Sequence, residues 1–175
     1  MTTFATRQRA ALFAATMFCA LPFGVCARSP AAAAAPEAIS AVDVATSWVF
    51  ALKRADSRVL DRTSAYPFEL RIQNAPCKCK GGKAGDAGGL TALLSPLMQT
   101  EEIKSLEVTT SDAKEVSKGA LPDWAKRFGN KLPKGSRLVR IEASGGVVYT
   151  LTFVLVVTGN QVRAVWLNAA TDGDA

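Results

Sequence analysis

The sequence predicts an α+β domain, and three observations carry that prediction. Apolar residues recur at three- and four-residue steps from Ile39 to Leu52 and again from Leu90 to Met98, the pattern of helices packed on one side. From Arg137 onward the pattern changes to alternation, in runs divided by Gly145-Gly146 and Gly159-Asn160, which reads as three antiparallel strands. The chain has 175 residues, and setting aside a 27-residue leader leaves about 148, the usual size of one domain.

The leader is expected from residues 1–27. Arg7 and Arg9 form a basic start, Ala10 to Val25 is apolar, and Val25 and Ala27 are small residues at the −3 and −1 positions of a cleavage site. No Asp or Glu precedes Glu37. The apolar run is short for a retained anchor and is interrupted by Pro22 and Gly24. Val25 before Cys26 does not fit a lipoprotein signal. The expectation is export, with cleavage near Ala27, a periplasmic or extracellular mature protein, and no membrane span after cleavage.

Residues 28–36 read as an alanine- and proline-rich linker, residues 37–170 as the domain, and residues 171–175 as a polar tail. In the first helix Ile39, Val42, Val44, Ala45, Trp48, Val49 and Leu52 form the apolar face, with Lys53 and Arg54 in the last turn. Asp56 or Ser57 caps a second, shorter helix with Val59 and Leu60. Pro67 is expected to stop it, because a proline forces the preceding residue out of helical geometry. Phe68, Leu70 and Ile72 alternate with Glu69, Arg71 and Gln73 in a half-buried strand. Ala75 to Gly89, rich in Gly and Lys, reads as a flexible loop or hairpin excursion. Leu90 to Ile103 is helical, divided or kinked at Pro96. Leu106 to Thr110 reads as a short strand, and Pro122 to Phe128 as one or two helical turns. Arg137–Ala143, Val147–Val157 and Val162–Asn168 then close the domain.

The long strand has two distinct faces. Val147, Tyr149, Leu151, Phe153, Leu155 and Val157 are large and varied, suited to packing under helices. Val148, Thr150, Thr152, Val154, Val156 and Thr158 are β-branched throughout and half apolar. Strand propensity explains that second face, and so does contact with a second copy of the chain; the sequence leaves both open.

Composition restricts the chemistry. There are no histidines, which excludes Ser-His-Asp and Cys-His catalysis and every histidine metal site. The formal charge of +6 falls to about +4 without Arg7 and Arg9, too small an excess to indicate nucleic acid. No cofactor and no metal site is expected. Of the four cysteines, Cys19 and Cys26 lie in the leader. Cys77 and Cys79, flanked by Lys78 and Lys80, are a candidate disulfide, either structural or redox-active. The glycine-lysine loop lacks the Gly-Lys-Ser/Thr ending of a phosphate cradle.

The opening Trp48-Val49-Phe50-Ala51-Leu52, Lys53-Arg54-Ala55-Asp56, Val59-Leu60 and Tyr66-Pro67-Phe68, followed by helix and three long strands, resembles the NTF2-like superfamily (nuclear transport factor 2, SnoaL-type cyclases and ketosteroid isomerase). The resemblance spans about Glu37 to Ala170. It implies a cone: a curved antiparallel sheet packed on N-terminal helices, with a pocket at the open end. Trp48, Tyr66, Phe68, Trp124, Tyr149 and Trp166 are the candidates to line such a pocket, or else are ordinary core aromatics. Isomerase-type members use an aspartate base and a tyrosine or protonated aspartate donor, for which Asp61 and Tyr66 are the candidates here. Glu69 and Glu142 lie on strands, but Val147 to Val165 carries no Asp or Glu, a departure from the catalytic pattern. The expectation is therefore a non-enzymatic domain that binds a small apolar or amphipathic molecule or an envelope protein. A cofactor-free SnoaL- or isomerase-like enzyme and a CxC thiol-redox protein are the alternatives.

Overall fold

The structure, a computed structural model, describes residues 39–117, 132–145 and 149–171, excepting the side chains of Tyr149 and Thr171. The leader, the linker and the helical turns expected at Pro122–Phe128 lie outside the described residues.

Helix α1 spans Ala41–Lys53 and begins where the Ser40 side chain accepts from the Asp43 amide. Ile39, expected inside this helix, precedes that cap and is 57% exposed. At the other end Arg54 is the C-cap and Ala55 takes the left-handed conformation, φ 54°. The Asp56 amide bonds Ala51 O and the Ala55 amide bonds Leu52 O, a Schellman closure without its usual glycine. This turn reverses the chain directly into α2, Ser57–Thr63, capped by Asp56 through its bond from the Val59 amide.

Strand β1, Ser64–Ile72, starts immediately after α2, so Pro67 lies inside a strand instead of ending a helix. Its peptide bond with Tyr66 is cis. The β1 register against its neighbour shifts between Ser64 and Glu69, so the missing proline N–H falls where regular pairing is interrupted. β2, Gly82–Ala84, returns antiparallel to β1, making the Gly-Lys stretch a hairpin excursion. Asp86 then caps α3, Ala87–Gln99, by accepting from the Gly89 amide. Pro96 lies within α3, and the break comes at Thr100 instead. Only one turn follows the proline, and Thr100 ends it by donating its hydroxyl to Pro96 O and its amide to Leu97 O. α4, Glu101–Lys104, and β3, Leu106–Glu107, follow. A 3-10 turn at Thr110–Asp112 leads into β4, Ala113–Glu115.

The long strands are β5, Arg137–Gly145, β6, Tyr149–Thr158, and β7, Gln161–Thr171. The sheet order is β2-β1-β7-β6-β5-β3, with β4 also paired to β5. The sheet is mixed, which corrects the wholly antiparallel expectation. β1 runs parallel to β7, pairing Leu70 with Val165 and Ile72 with Leu167, while the other pairings are antiparallel. β1 and β7 are far apart in sequence, so no hairpin turn fixes their sense. The helices between them allow the parallel arrangement.

Helices packed on a curved sheet give the α+β architecture that the resemblance implies. Trp48, Val49 and Leu52 of α1, Leu90, Leu94 and Leu97 of α3, and Leu151, Phe153 and Leu155 of β6 fill the main core. The large face of β6 is thus the one under the helices, as its alternation predicts. A second cluster on the opposite face joins Leu138, Val154, Val156, Ala164 and Trp166, with Val116 and Leu132 against it. Val154 and Val156, the apolar centre of the face considered for a second copy, are buried within the single chain at 1% and 0% exposure.

Candidate functional site

The sequence candidates separate into distinct places. Trp48 and Phe68 meet in the core, stacked with ring centroids 5.8 Å apart, and both are fully buried. The Trp48 indole N–H donates to Ser64 Oγ at 2.9 Å, tying α1 to the start of β1. Tyr66, two residues along β1, is half-buried at the core margin. Trp166 belongs to the opposite cluster, because Val165 and Leu167 on either side of it face the helices. These aromatics therefore do not form one lining. Trp124 and the Tyr149 side chain lie outside the described residues.

Asp61 and Tyr66 do come together. The Tyr66 hydroxyl donates to Asp61 Oδ1 at 2.6 Å, joining the end of α2 to β1. Burial is the main reason the phenol stays protonated well above its ordinary value. The hydrogen bond to Asp61 adds to this, and so do the charges of Asp61 and Asp86. The phenol proton is committed to Asp61, and the carboxylate to the phenol. Glu69 and Glu142 pair with Arg71 and Arg140 along their own strands. Cys77 and Cys79 are joined as a disulfide in the excursion between β1 and β2.

Sequence reasoning missed a groove between α1 and α2. It encloses about 320 Å³ and is lined by Ser47, Phe50, Ala51, Arg54, Asp56 and Val59. The Schellman turn builds it, since reversing the chain at Ala55 lays Val59 alongside the outer flank of α1. Phe50, Ala51 and Val59 provide apolar surface. The Arg54 guanidinium lies 5.8 Å from the Phe50 ring centroid, a cation over an aromatic face. The signal in the sequence is Phe50 on α1 and Arg54 at its C-cap, four residues apart and off the stripe of Val44, Ala45, Trp48 and Leu52. The lining thus sets this apolar surface beside one cation, Arg54, and one carboxylate, Asp56, whose Oδ1 already accepts from the Val59 amide.

No family model matches the chain. No curated protein matches it either. Among solved structures it is similar to an NTF2-like protein from Burkholderia xenovorans, at 19% identity and TM-score 0.44, covering 74% of this chain and 88% of that one. It is also similar to a protein of unknown function with a cystatin-like fold from Xanthomonas campestris, at 14% identity and TM-score 0.47, covering 75% and 92%. A third is an NTF2-like protein of unknown function from Cytophaga hutchinsonii, at 6% identity and TM-score 0.40, covering 73% and 88%. No activity is carried over from them.

Proposed function

We propose that this chain is an exported, non-catalytic binding domain of the cell envelope whose ligand is a small amphipathic molecule. The observation that carries the reading is the α1–α2 groove, with Phe50, Ala51 and Val59 for an apolar body and Arg54 for an anionic head. A volume of about 320 Å³ is at the lower end for ligand sites, so the ligand is small. The basic and then apolar first 27 residues support export. The absence of histidine from the sequence supports binding over catalysis.

Titration with 1-anilinonaphthalene-8-sulfonate, an anionic amphipathic fluorophore, tests this. At about 0.3 kcal/mol per non-hydrogen atom, a probe of roughly twenty such atoms binds with about 6 kcal/mol, a Kd of tens of micromolar. Saturable one-to-one enhancement is expected, lost in Ser47→Phe, which fills the groove from an exposed position, and weakened about three- to tenfold in Arg54→Gln. Enhancement that is absent, or indifferent to Ser47→Phe, refutes the reading.

A further inference from the structure

We propose that the Cys77–Cys79 bridge is a thiol–disulfide exchange site that oxidises a dithiol in a peptide or protein partner. This function is independent of the groove. The cysteines are two residues apart with Cα atoms 5.2 Å apart, so the bridge closes a loop of only three residues. That is close to the least chain entropy a disulfide can remove, and it contributes correspondingly little to the fold.

The surrounding frame is already closed by other bonds. Before the bridge, the Gln73 amide donates to Leu167 O at 3.0 Å, the Ala169 amide to Asn74 O at 2.9 Å, and the Asn74 side chain to Asn168 Oδ1 at 3.0 Å. After it, Gly82 pairs with Leu70. Gly81 lies so close to β1 that an added Cβ would stand 2.7 Å from Leu70 O, so glycine is needed there. The bridge therefore has no chain end left to restrain.

Its setting favours exchange. Both cysteines are half-buried against the core edge, so each stays partly open to solvent, while Lys78 and Lys80 beside them are exposed. Positive charge attracts an attacking thiolate and stabilises a departing one. Cys79 lies between the two lysines and is the better leaving group.

In the first step the partner's thiolate attacks Cys77 Sγ. The bond between the two cysteine sulfurs breaks, and its electron pair leaves on Cys79 Sγ. The partner's second thiol gives its proton to solvent and attacks the partner sulfur of the mixed disulfide, releasing Cys77 as a thiolate. The partner dithiol loses two electrons and two protons and becomes a disulfide, and Cys77 and Cys79 become a dithiol.

The test uses the full chain with Cys19→Ser and Cys26→Ser, so that only Cys77 and Cys79 report. The protein is equilibrated in reduced and oxidised glutathione mixtures and its thiols are trapped for mass measurement. The expected result is a bridge that opens and closes within the glutathione range, where structural disulfides stay closed. The reduced protein should keep its thermal transition within about 5 °C. A fluorogenic dithiol peptide should be oxidised once per protein, and at least about threefold more slowly by the Lys78→Glu, Lys80→Glu variant. A bridge that resists excess reduced glutathione, reduction that unfolds the chain, or a rate unchanged by charge reversal overturns the proposal.

Discussion

Replacing Ser64 with Ala tests how the main core holds α1 to β1. Ser64 is 1% exposed, Trp48 is 0% exposed, and the indole N–H has Ser64 Oγ as its acceptor at 2.9 Å. A typical hydrogen bond contributes only about 0.5–1.5 kcal/mol net, but a buried donor left without an acceptor costs about 1–3 kcal/mol. Ser64→Ala strands the indole in this way and should lower stability by about 2 kcal/mol. Trp48→Phe removes the donor itself and costs less than the roughly 3–5 kcal/mol of full truncation, because a ring still stacks on Phe68. In the Trp48→Phe background Ser64→Ala strands no donor, so its further cost should fall below about 0.5 kcal/mol. Urea unfolding of all four proteins, followed by far-UV circular dichroism, gives the coupling. The two changes adding to within about 0.3 kcal/mol would mean that the hydrogen bond is not what ties the helix to the strand.

Other consequences follow from single contacts. Tyr66 holds its proton more tightly in the folded chain than at the ordinary value of 10.0, so its contribution is complete below pH 10 and is lost as pH rises above it. In a Tyr149→Phe variant, absorbance at 295 nm should show the remaining phenol titrating well above pH 10, and titration at 10 or below would contradict the half-buried Asp61 contact. Ala55 takes φ 54° without being glycine, a conformation costing about 1–2 kcal/mol, against which glycine loses about 0.5–1 kcal/mol of entropy. Ala55→Gly should therefore stabilise by up to about 1.5 kcal/mol in denaturant melts, and destabilisation would mean that Ala55 does not hold the left-handed conformation. Asp86→Ala removes the side-chain acceptor for the Gly89 amide, 2.8 Å away, and should cost about 1 kcal/mol by the same melts. No loss would show that α3 does not depend on that cap.

The parts of the fold that depend on one element's own pattern were legible in the sequence. The stripe through Val44, Trp48 and Leu52 marks the buried face of α1, a cap at Asp56 or Ser57 marks the start of α2 and is Asp56 in the structure, and alternation marks which face of β6 lies under the helices. Features decided by a distant partner were not. The parallel pairing of β1 with β7 depends on where the helices deliver the chain, and β4 is recognisable only against β5. Pro67 sits in a strand because the pairing it would spoil is already irregular there. Trp166 has the chemistry of a pocket aromatic, but the parity of Val165 and Leu167 sends it to the opposite face. The groove belongs to neither helix alone, so no single element's pattern marks it. Phe50 and Arg54 supply one wall, and Val59 reaches the other only because the turn at Ala55 is so tight.

The central claim is that the α1–α2 groove seats an anionic amphipathic molecule, and amide chemical-shift mapping during titration with 1-anilinonaphthalene-8-sulfonate tests it most directly. Saturable shifts confined to Ser47, Phe50, Ala51, Arg54, Asp56 and Val59 and their immediate neighbours are expected. Shifts centred instead on Asp61 and Tyr66, or scattered over the surface without saturation, would contradict it.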